Sequence, residues 1–157
     1  LYGKSKLAGE EFVRTLCHRY LIVRSAWVYG IGRDFVSTVL NAAADPTCPW
    51  LAVPTDRFAS PTSADDLTAE VEQLIDHDTL GIYHIVCQGR CSRYDFAQAI
   101  LKAAHMEDKL ELHPIRAADA GSTPSYTVLD NLMLRLDNLP QPRPWKEALN
   151  EYINSLQ

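Results

Sequence analysis

The sequence predicts an α/β fold whose nucleotide-binding sheet is incomplete. Helical patterns alternate with short apolar runs rich in strand-forming residues, an order typical of α/β domains. The strands are too few for a complete doubly wound sheet, and the 157 residues contain no glycine-rich phosphate loop. We therefore expect the missing strands and the phosphate loop to lie on chain upstream of residue 1.

The first part of the chain predicts two helix and strand pairs. Apolar residues at helical spacing indicate an amphipathic helix over residues 3–18. Residues 20–23 form a short apolar run, which suits a strand buried on both faces of a parallel sheet. A second helix follows over residues 34–44, with Asp34 as its N-cap, and residues 50–53 are a second strand candidate.

The middle of the chain repeats this order after a polar turn over residues 54–61. Residues 63–77 predict a helix with acidic side chains in its first turn, where the helix dipole favours them. A third strand is predicted over residues 81–87, and Ser92 opens the next helix.

The stretch over residues 110–139 has the weakest periodicity. We expect a short strand over residues 110–115 and a loop at residues 120–122. A closing helix begins at Pro144 or Trp145, because proline is tolerated in a first turn, and it runs to about Leu156.

Composition excludes several classes of function. The net charge of −5 is spread along the chain, without the basic stripe that neutralises phosphates, so we expect no nucleic-acid partner. No apolar run approaches the roughly 20 residues of a spanning helix, and no signal peptide opens the chain, so we expect no membrane partner. The four cysteines lack metal-ligand spacing, so we expect no metal site. Small secreted domains are much richer in cysteine, so we expect reduced thiols in a cytoplasmic protein.

Tyr2 and Lys6 are the residues with the clearest chemical use. They are four positions apart in the first predicted helix, so their side chains lie on one face. A phenol, with a pKa near ~10, exchanges protons poorly at neutral pH unless a neighbouring cation stabilises the phenolate. The Lys6 ammonium is such a cation, and the pair could then exchange a proton with a carbonyl or alcohol oxygen.

Longer strings around this pair resemble a known family. YGKSKLAGE at residues 2–10, followed by RSAWVYG at residues 24–30, resembles the extended short-chain dehydrogenase/reductase family and, within it, the dTDP-4-dehydrorhamnose reductases. DRFASPT at residues 56–62, GIYH at residues 81–84 and PSYTVLD at residues 124–130 are similar to further segments of that family. The resemblance spans nearly the whole chain and implies the C-terminal part of a Rossmann-type enzyme, with its substrate-binding region.

The resemblance also implies roles for single residues. Tyr2 corresponds to the tyrosine that protonates the C4 oxygen of the sugar, and Lys6 to the lysine that holds the nicotinamide ribose and lowers the tyrosine pKa. Trp27 corresponds to a tryptophan that lies against the deoxysugar, and the backbone at Ser25 and Ala26 would pass close to the nicotinamide.

The implied parent enzyme reduces dTDP-4-dehydro-L-rhamnose to dTDP-L-rhamnose, which supplies rhamnose for cell-surface polysaccharide. Its NADPH or NADH would be bound mainly by the missing N-terminal part, so the chain alone is expected to be inactive. Mg2+ and a homodimer are further features of some relatives.

Three positions depart from the family pattern, and two alternative functions stay open. The chain has Arg57 where the family has Gln, Ala59 where it has Gly, and Thr123 where it has Arg. The first alternative is another nucleotide-sugar epimerase or reductase of the extended family. The second is a binding protein similar to the regulatory subunit of methionine adenosyltransferase.

Overall fold

The computed structural model describes residues 2–117 and 124–156, which form six helices and eight short strands. The helices are α1 (Tyr2–Leu16), α2 (Phe35–Ala44), α3 (Ala64–Asp76), α4 (Arg93–Ala103), α5 (Leu132–Leu136) and α6 (Trp145–Ser155). The strands are β1 (Leu21–Arg24), β2 (Val28–Tyr29), β3 (Trp50–Pro54), β4 (Phe58–Ala59), β5 (Thr62–Ser63), β6 (Gly81–His84), β7 (Cys91–Ser92) and β8 (Glu111–Ile115).

The strands pair two by two. Strand β1 lies parallel to β6, β2 to β5 and β3 to β8, whereas β4 and β7 are antiparallel. Parallel pairs joined through helices confirm the predicted α/β class. The predicted third strand ends earlier than expected, at His84. The expected loop at residues 120–122 lies outside the described residues.

The main core lies between α2, α4 and α6. Helix α4 buries Phe96, Ala97, Ile100 and Leu101, a spacing that keeps all four on one side of the helix. Helix α6 packs against α4 with an apolar face that begins at Trp145. Close packing of these faces holds the site described below in place.

A smaller core supports β1 and β6. It contains Leu74, Tyr83, Ile85 and Leu134, all nearly inaccessible to solvent. The side-chain amide of Asn131 closes this region, since it donates to the Val86 carbonyl at 2.7 Å and accepts from the Val86 amide at 3.0 Å. A buried polar side chain is thereby satisfied.

Helix α1 differs from all of this, because it buries no residue. The prediction that the first strand is buried on both faces is confirmed in part: Ile22 is buried on one face, and Leu21 and Val23, on the other, are half-buried and pack against the smaller core. Helix α1 contributes no buried side chain beside β1, in the part of the chain that the structure describes.

The predicted cap at Asp34 is confirmed and fixes the loop after β2. Its carboxylate accepts from the amides of Ser37, at 2.7 Å, and of Gly30, at 2.8 Å. The Tyr152 hydroxyl donates to the Gly30 carbonyl at 2.6 Å. These bonds set the start of α2, and with it the position of Phe35.

None of the helices in residues 2–117 and 124–156 is long and apolar enough to cross a bilayer.

Candidate active site

The structure brings Tyr2 and Lys6 together at the start of α1. The Lys6 Nζ lies 5.7 Å from the centre of the Tyr2 ring. Tyr2 is 76% exposed, so its hydroxyl is open to a ligand and to water. The spacing that the sequence suggested is therefore present as a side-chain contact on an open helix face.

The ion pair between Glu10 and Arg24 shows where this pair lies relative to the sheet. Arg24 ends β1, and its Nε donates to the Glu10 carboxylate at 2.9 Å. Tyr2 precedes Glu10 by eight residues, about 12 Å along a helix. Because α1 leads back to the start of β1, Tyr2 lies beyond the carboxyl end of that strand. Ligands of open α/β sheets bind at this end.

Ser25, Ala26 and Trp27 follow β1 at the same end. The Ser25 Oγ is buried and has no hydrogen-bond partner among the described residues. A buried hydroxyl without a partner is uncommon and costs free energy, which a polar group of a ligand would recover. Trp27 has a φ of +42°, a left-handed conformation that is rare for a bulky residue and frequent at ligand sites.

Trp27 is half-buried and stacks on two neighbours. Its ring lies 6.3 Å from that of Phe96, with an angle of 21° between the planes. The Arg93 guanidinium carbon lies 3.6 Å from the centre of the indole and 4.4 Å from the centre of the Phe35 ring. Arg93 and Phe96 thus both take up part of the indole surface, so a sugar could use only the part that these two side chains leave open.

Sequence reasoning did not single out Arg93 or Phe35. They begin two different helices, α4 and α2, and no spacing pattern connects them to Trp27. Burial lowers the pKa of Arg93 to about 10, which still leaves the guanidinium charged at neutral pH.

The distant segments at residues 56–62 and 124–130 meet in the fold. The Phe58 amide donates to the Ser125 carbonyl, and the Thr127 amide donates to the Phe58 carbonyl, both at 2.9 Å. Beside them, Arg90 Nη1 donates to the Tyr126 hydroxyl at 2.7 Å. A cavity of about 370 Å³ opens here, lined by both segments and by residues 88–90.

A larger groove, of about 1230 Å³, lies along α4, α6 and β8. None of the site residues predicted from the sequence lines it. We therefore place the candidate site at the carboxyl end of β1, beside Ser25, Ala26 and Trp27, and not in the larger groove.

Two of the three departures from the family pattern are accommodated in a regular ladder. Ala59 is fully buried in β4, and the Arg57 carbonyl accepts from the Arg93 amide at 2.9 Å. The turn thus keeps its pairing without Gly at position 59. Thr123 lies outside the described residues.

No group of three or more His, Cys, Asp or Glu side chains that could hold a metal ion occurs within the described ranges. The four cysteines, all described, are free. Burial raises the pKa of Cys87 and of Cys91 to about 12, so both thiols are protonated at neutral pH and are poor nucleophiles.

Comparison with known proteins gives the family context of this arrangement. The family model described as RmlD substrate binding domain matches residues 1–157. A spore coat polysaccharide biosynthesis protein, SpsK of Bacillus subtilis, is 38% identical over 155 residues, which are 98% of this chain and 53% of that protein. The chain thus spans about half the length of the curated relatives it matches.

Solved structures give the same result. The dTDP-4-dehydrorhamnose reductase of Clostridium acetobutylicum superposes with a TM-score of 0.93 at 41% identity, over 99% of this chain and 55% of that one. The dTDP-4-dehydrorhamnose reductase of Bacillus anthracis, in complex with NADP, superposes with a TM-score of 0.92 at 34% identity, over the same shares of the two chains.

Proposed function

The chain belongs to the RmlD substrate-binding domain family, and we propose that it forms the sugar-nucleotide-binding part of an NADPH- or NADH-dependent reductase that converts dTDP-4-dehydro-L-rhamnose to dTDP-L-rhamnose. The observation that carries the proposal is the contact between Lys6 and Tyr2 beyond the carboxyl end of β1. A phenol beside an ammonium, at the ligand-binding end of the sheet, is suited to protonate a carbonyl oxygen.

The chemical step divides between the two side chains. The Tyr2 hydroxyl donates its proton to the C4 oxygen of the sugar, and the keto group becomes an alcohol. Lys6 stabilises the phenolate left on Tyr2, which then takes a proton from water. A bound nicotinamide supplies the hydride that C4 receives.

The residues present fit such a cofactor at its nicotinamide end. Lys6 would hold the ribose hydroxyls, and the buried hydroxyl of Ser25, which lacks a partner among the described residues, would gain one from the cofactor. The backbone at Ser25 and Ala26 would pass beside the nicotinamide. In support, a relative with a TM-score of 0.92 was solved in complex with NADP.

We assign most of the cofactor site to a dinucleotide-binding part that precedes this chain in a longer protein. The chain spans about half of its relatives, and α1 exposes apolar side chains that such a part would cover. Among them are Leu7, 53% exposed, Phe12, 66% exposed, and Leu16, 78% exposed. Without that part the chain should bind the cofactor weakly and be inactive.

The sugar would lie against Trp27. The part of the indole that Arg93 and Phe96 leave open is apolar and suits the C–H face of a deoxysugar. A homodimer and Mg2+ in the parent enzyme stay predictions of the family resemblance, and a cytoplasmic location stays a prediction from the four cysteines.

The test is turnover by the full-length protein that carries this chain. With dTDP-4-dehydro-L-rhamnose and NADPH deuterated at the transferred position, we expect one cofactor oxidised per product and deuterium at C4 of dTDP-L-rhamnose. An epimerase would interconvert sugars without net consumption of NADPH, and that result would contradict the proposal. Capture of a methionine adenosyltransferase without turnover would favour the binding-protein alternative.

A second measurement tests whether activity requires the proposed dinucleotide-binding part. The 157-residue chain alone, assayed under the same conditions, should oxidise no NADPH above background. A rate near that of the full-length protein would show that the dinucleotide-binding part is not required.

A further inference from the structure

The Arg93 guanidinium packs against two aromatic rings. Its central carbon lies 3.6 Å from the centre of the Trp27 indole and 4.4 Å from the centre of the Phe35 ring. The N–H groups of a guanidinium lie in its plane and point outward along the edge. Hydrogen bonds from Arg93 therefore form in the guanidinium plane and not toward the two rings.

No acidic side chain neutralises this cation within residues 2–117 and 124–156. The guanidinium makes neither a hydrogen bond nor an ion pair there, and Arg93 is also the first residue of α4, where the helix dipole disfavours positive charge. Contact with two aromatic faces offsets part of the cost of burying the charge. The charge is therefore half-buried without a neutralising side chain among these residues.

Arg143 shows what a half-buried arginine looks like when its charge serves structure. Its Nε lies 3.1 Å from the Asp66 carboxylate, and its Nη1 also pairs with Glu151. Arg143 joins α3 to α6 through these pairs. Arg93 has no such partners: among the described residues its charge meets the two aromatic rings and no carboxylate.

We propose that Arg93 binds the phosphate that carries the sugar of the dTDP-sugar, through two hydrogen bonds from the edge of its guanidinium. The inference rests on the proposed function, because it takes Trp27 as the platform for the sugar. That phosphate is bonded directly to the sugar, so a sugar against Trp27 brings it to the rim of the indole. Its oxygens match the planar fork of an arginine, and the dTDP-sugar has no carboxylate that could compete.

The test measures binding of dTDP and of thymidine to the full-length protein by isothermal titration. Arg93→Met keeps an unbranched side chain against the rings and removes the charge. We expect it to weaken dTDP binding about 10- to 100-fold and to leave thymidine binding unchanged. Arg93→Lys keeps the charge but loses the fork, so its loss should be smaller. Arg19→Met is the matched control, since Arg19 is exposed, pairs with Asp78 and precedes β1, at the end opposite Trp27.

Thermal unfolding separates this role from a structural one. We expect Arg93→Met to unfold at the wild-type temperature or higher, because it removes an uncompensated charge. Unchanged dTDP binding in Arg93→Met or, if that variant does not fold, in Arg93→Lys overturns the phosphate assignment. Wild-type turnover of the keto-sugar with unchanged KM in the variant overturns it too and leaves the proposed function intact. If the wild-type full-length protein shows no turnover of the keto-sugar, both the phosphate assignment and the proposed function are overturned.

Discussion

Helices α1 and α4 carry the proposed chemistry, and they are held in opposite ways. Helix α4 buries four residues in the main core, begins with a complete capping box at Ser92 and packs Arg93 against two rings. Helix α1 carries Tyr2 and Lys6 and buries nothing. The residues proposed to bind the sugar nucleotide are thus set by the packing of this chain, whereas the proton donor depends on packing from elsewhere.

The difference has a thermodynamic side. An isolated helix of the length of α1 is marginally stable in water, because most helix stability in proteins comes from an apolar face that packs. The apolar face of α1 is uncovered in this chain. The helix is tied to β1 at its middle, where the Glu10 carboxylate pairs with Arg24. We infer that α1 becomes a rigid platform for Tyr2 only when another surface covers it.

The largest expected effect is on catalysis through α1. In the full-length protein, Tyr2→Phe should lower kcat about 10²- to 10⁴-fold, the range that a positioned proton donor contributes. Binding of dTDP should be unchanged, because Tyr2 lies on α1 and Arg93 on α4. Steady-state kinetics and titration calorimetry on the same preparation measure the two effects.

Lys6→Met should lose activity in the same direction, and Lys4→Met is its control. Lys4 lies on the same exposed helix, two positions from both Tyr2 and Lys6, and residues at that spacing do not share a helix face. Full turnover in Tyr2→Phe, or an equal loss in Lys4→Met, would show that the pair is not the proton-transfer device.

The bounds of helices were predicted well where the apolar residues recur at helical spacing and an N-cap residue marks the start. The helices over residues 34–44 and 63–77 were placed within two residues, because Asp34 and Ser63 mark their starts. The two-residue strands β2, β4, β5 and β7 could not be predicted, since no period fits in so short a segment. They form because tertiary contacts align extended loops.

The site divides in the same manner. Tyr2 and Lys6 were predicted from their helical spacing and, together with Trp27, from strings of neighbouring residues that resemble a family. The stack of Arg93 on Trp27 and Phe35 joins the starts of two helices to a loop, and only the packing of α2 against α4 creates it. The exposure of α1 was missed as well, because a periodic apolar face looks the same in sequence whether or not anything covers it.

The second prediction compares one phenylalanine from each region. Phe96→Ala should cost about 3–5 kcal/mol of unfolding free energy, because Phe96 is 1% exposed and leaves a cavity in the main core. Phe12→Ala should change stability by less than about 0.5 kcal/mol in the 157-residue chain, since Phe12 is 66% exposed. Urea unfolding followed by circular dichroism measures both.

Repeating the Phe12→Ala measurement in the full-length protein sharpens the comparison. If the dinucleotide-binding part covers α1, the cost of this substitution should rise to about 2 kcal/mol or more. An equally small cost in both proteins would mean that the face of α1 stays open.

The third prediction compares two glycines. Gly89 has a φ of +91°, and a Cβ added there would lie 3.1 Å from the Trp145 ring, so Gly89→Ala should cost about 1–3 kcal/mol. Gly9 lies inside α1 with open space around it, so Gly9→Ala should stabilise the 157-residue chain by about 0.5–1 kcal/mol. The unfolding temperature should therefore fall in Gly89→Ala and rise in Gly9→Ala. Destabilisation by Gly9→Ala in the 157-residue chain would reveal a contact of α1 that leaves no room for a methyl group.

The smallest effect concerns the ion pair that joins α1 to β1. Glu10→Gln should cost less than about 1 kcal/mol, because half-exposed pairs are screened by water. The hydrogen bond from Arg24 lowers the pKa of Glu10. A carboxylate whose folded pKa is depressed contributes its full stability above the unfolded pKa and loses it as pH falls through the folded value. The difference between Glu10→Gln and wild type should therefore be constant at neutral pH and vanish in acid. A difference that persists in acid would show that Glu10 holds α1 by packing and not by charge.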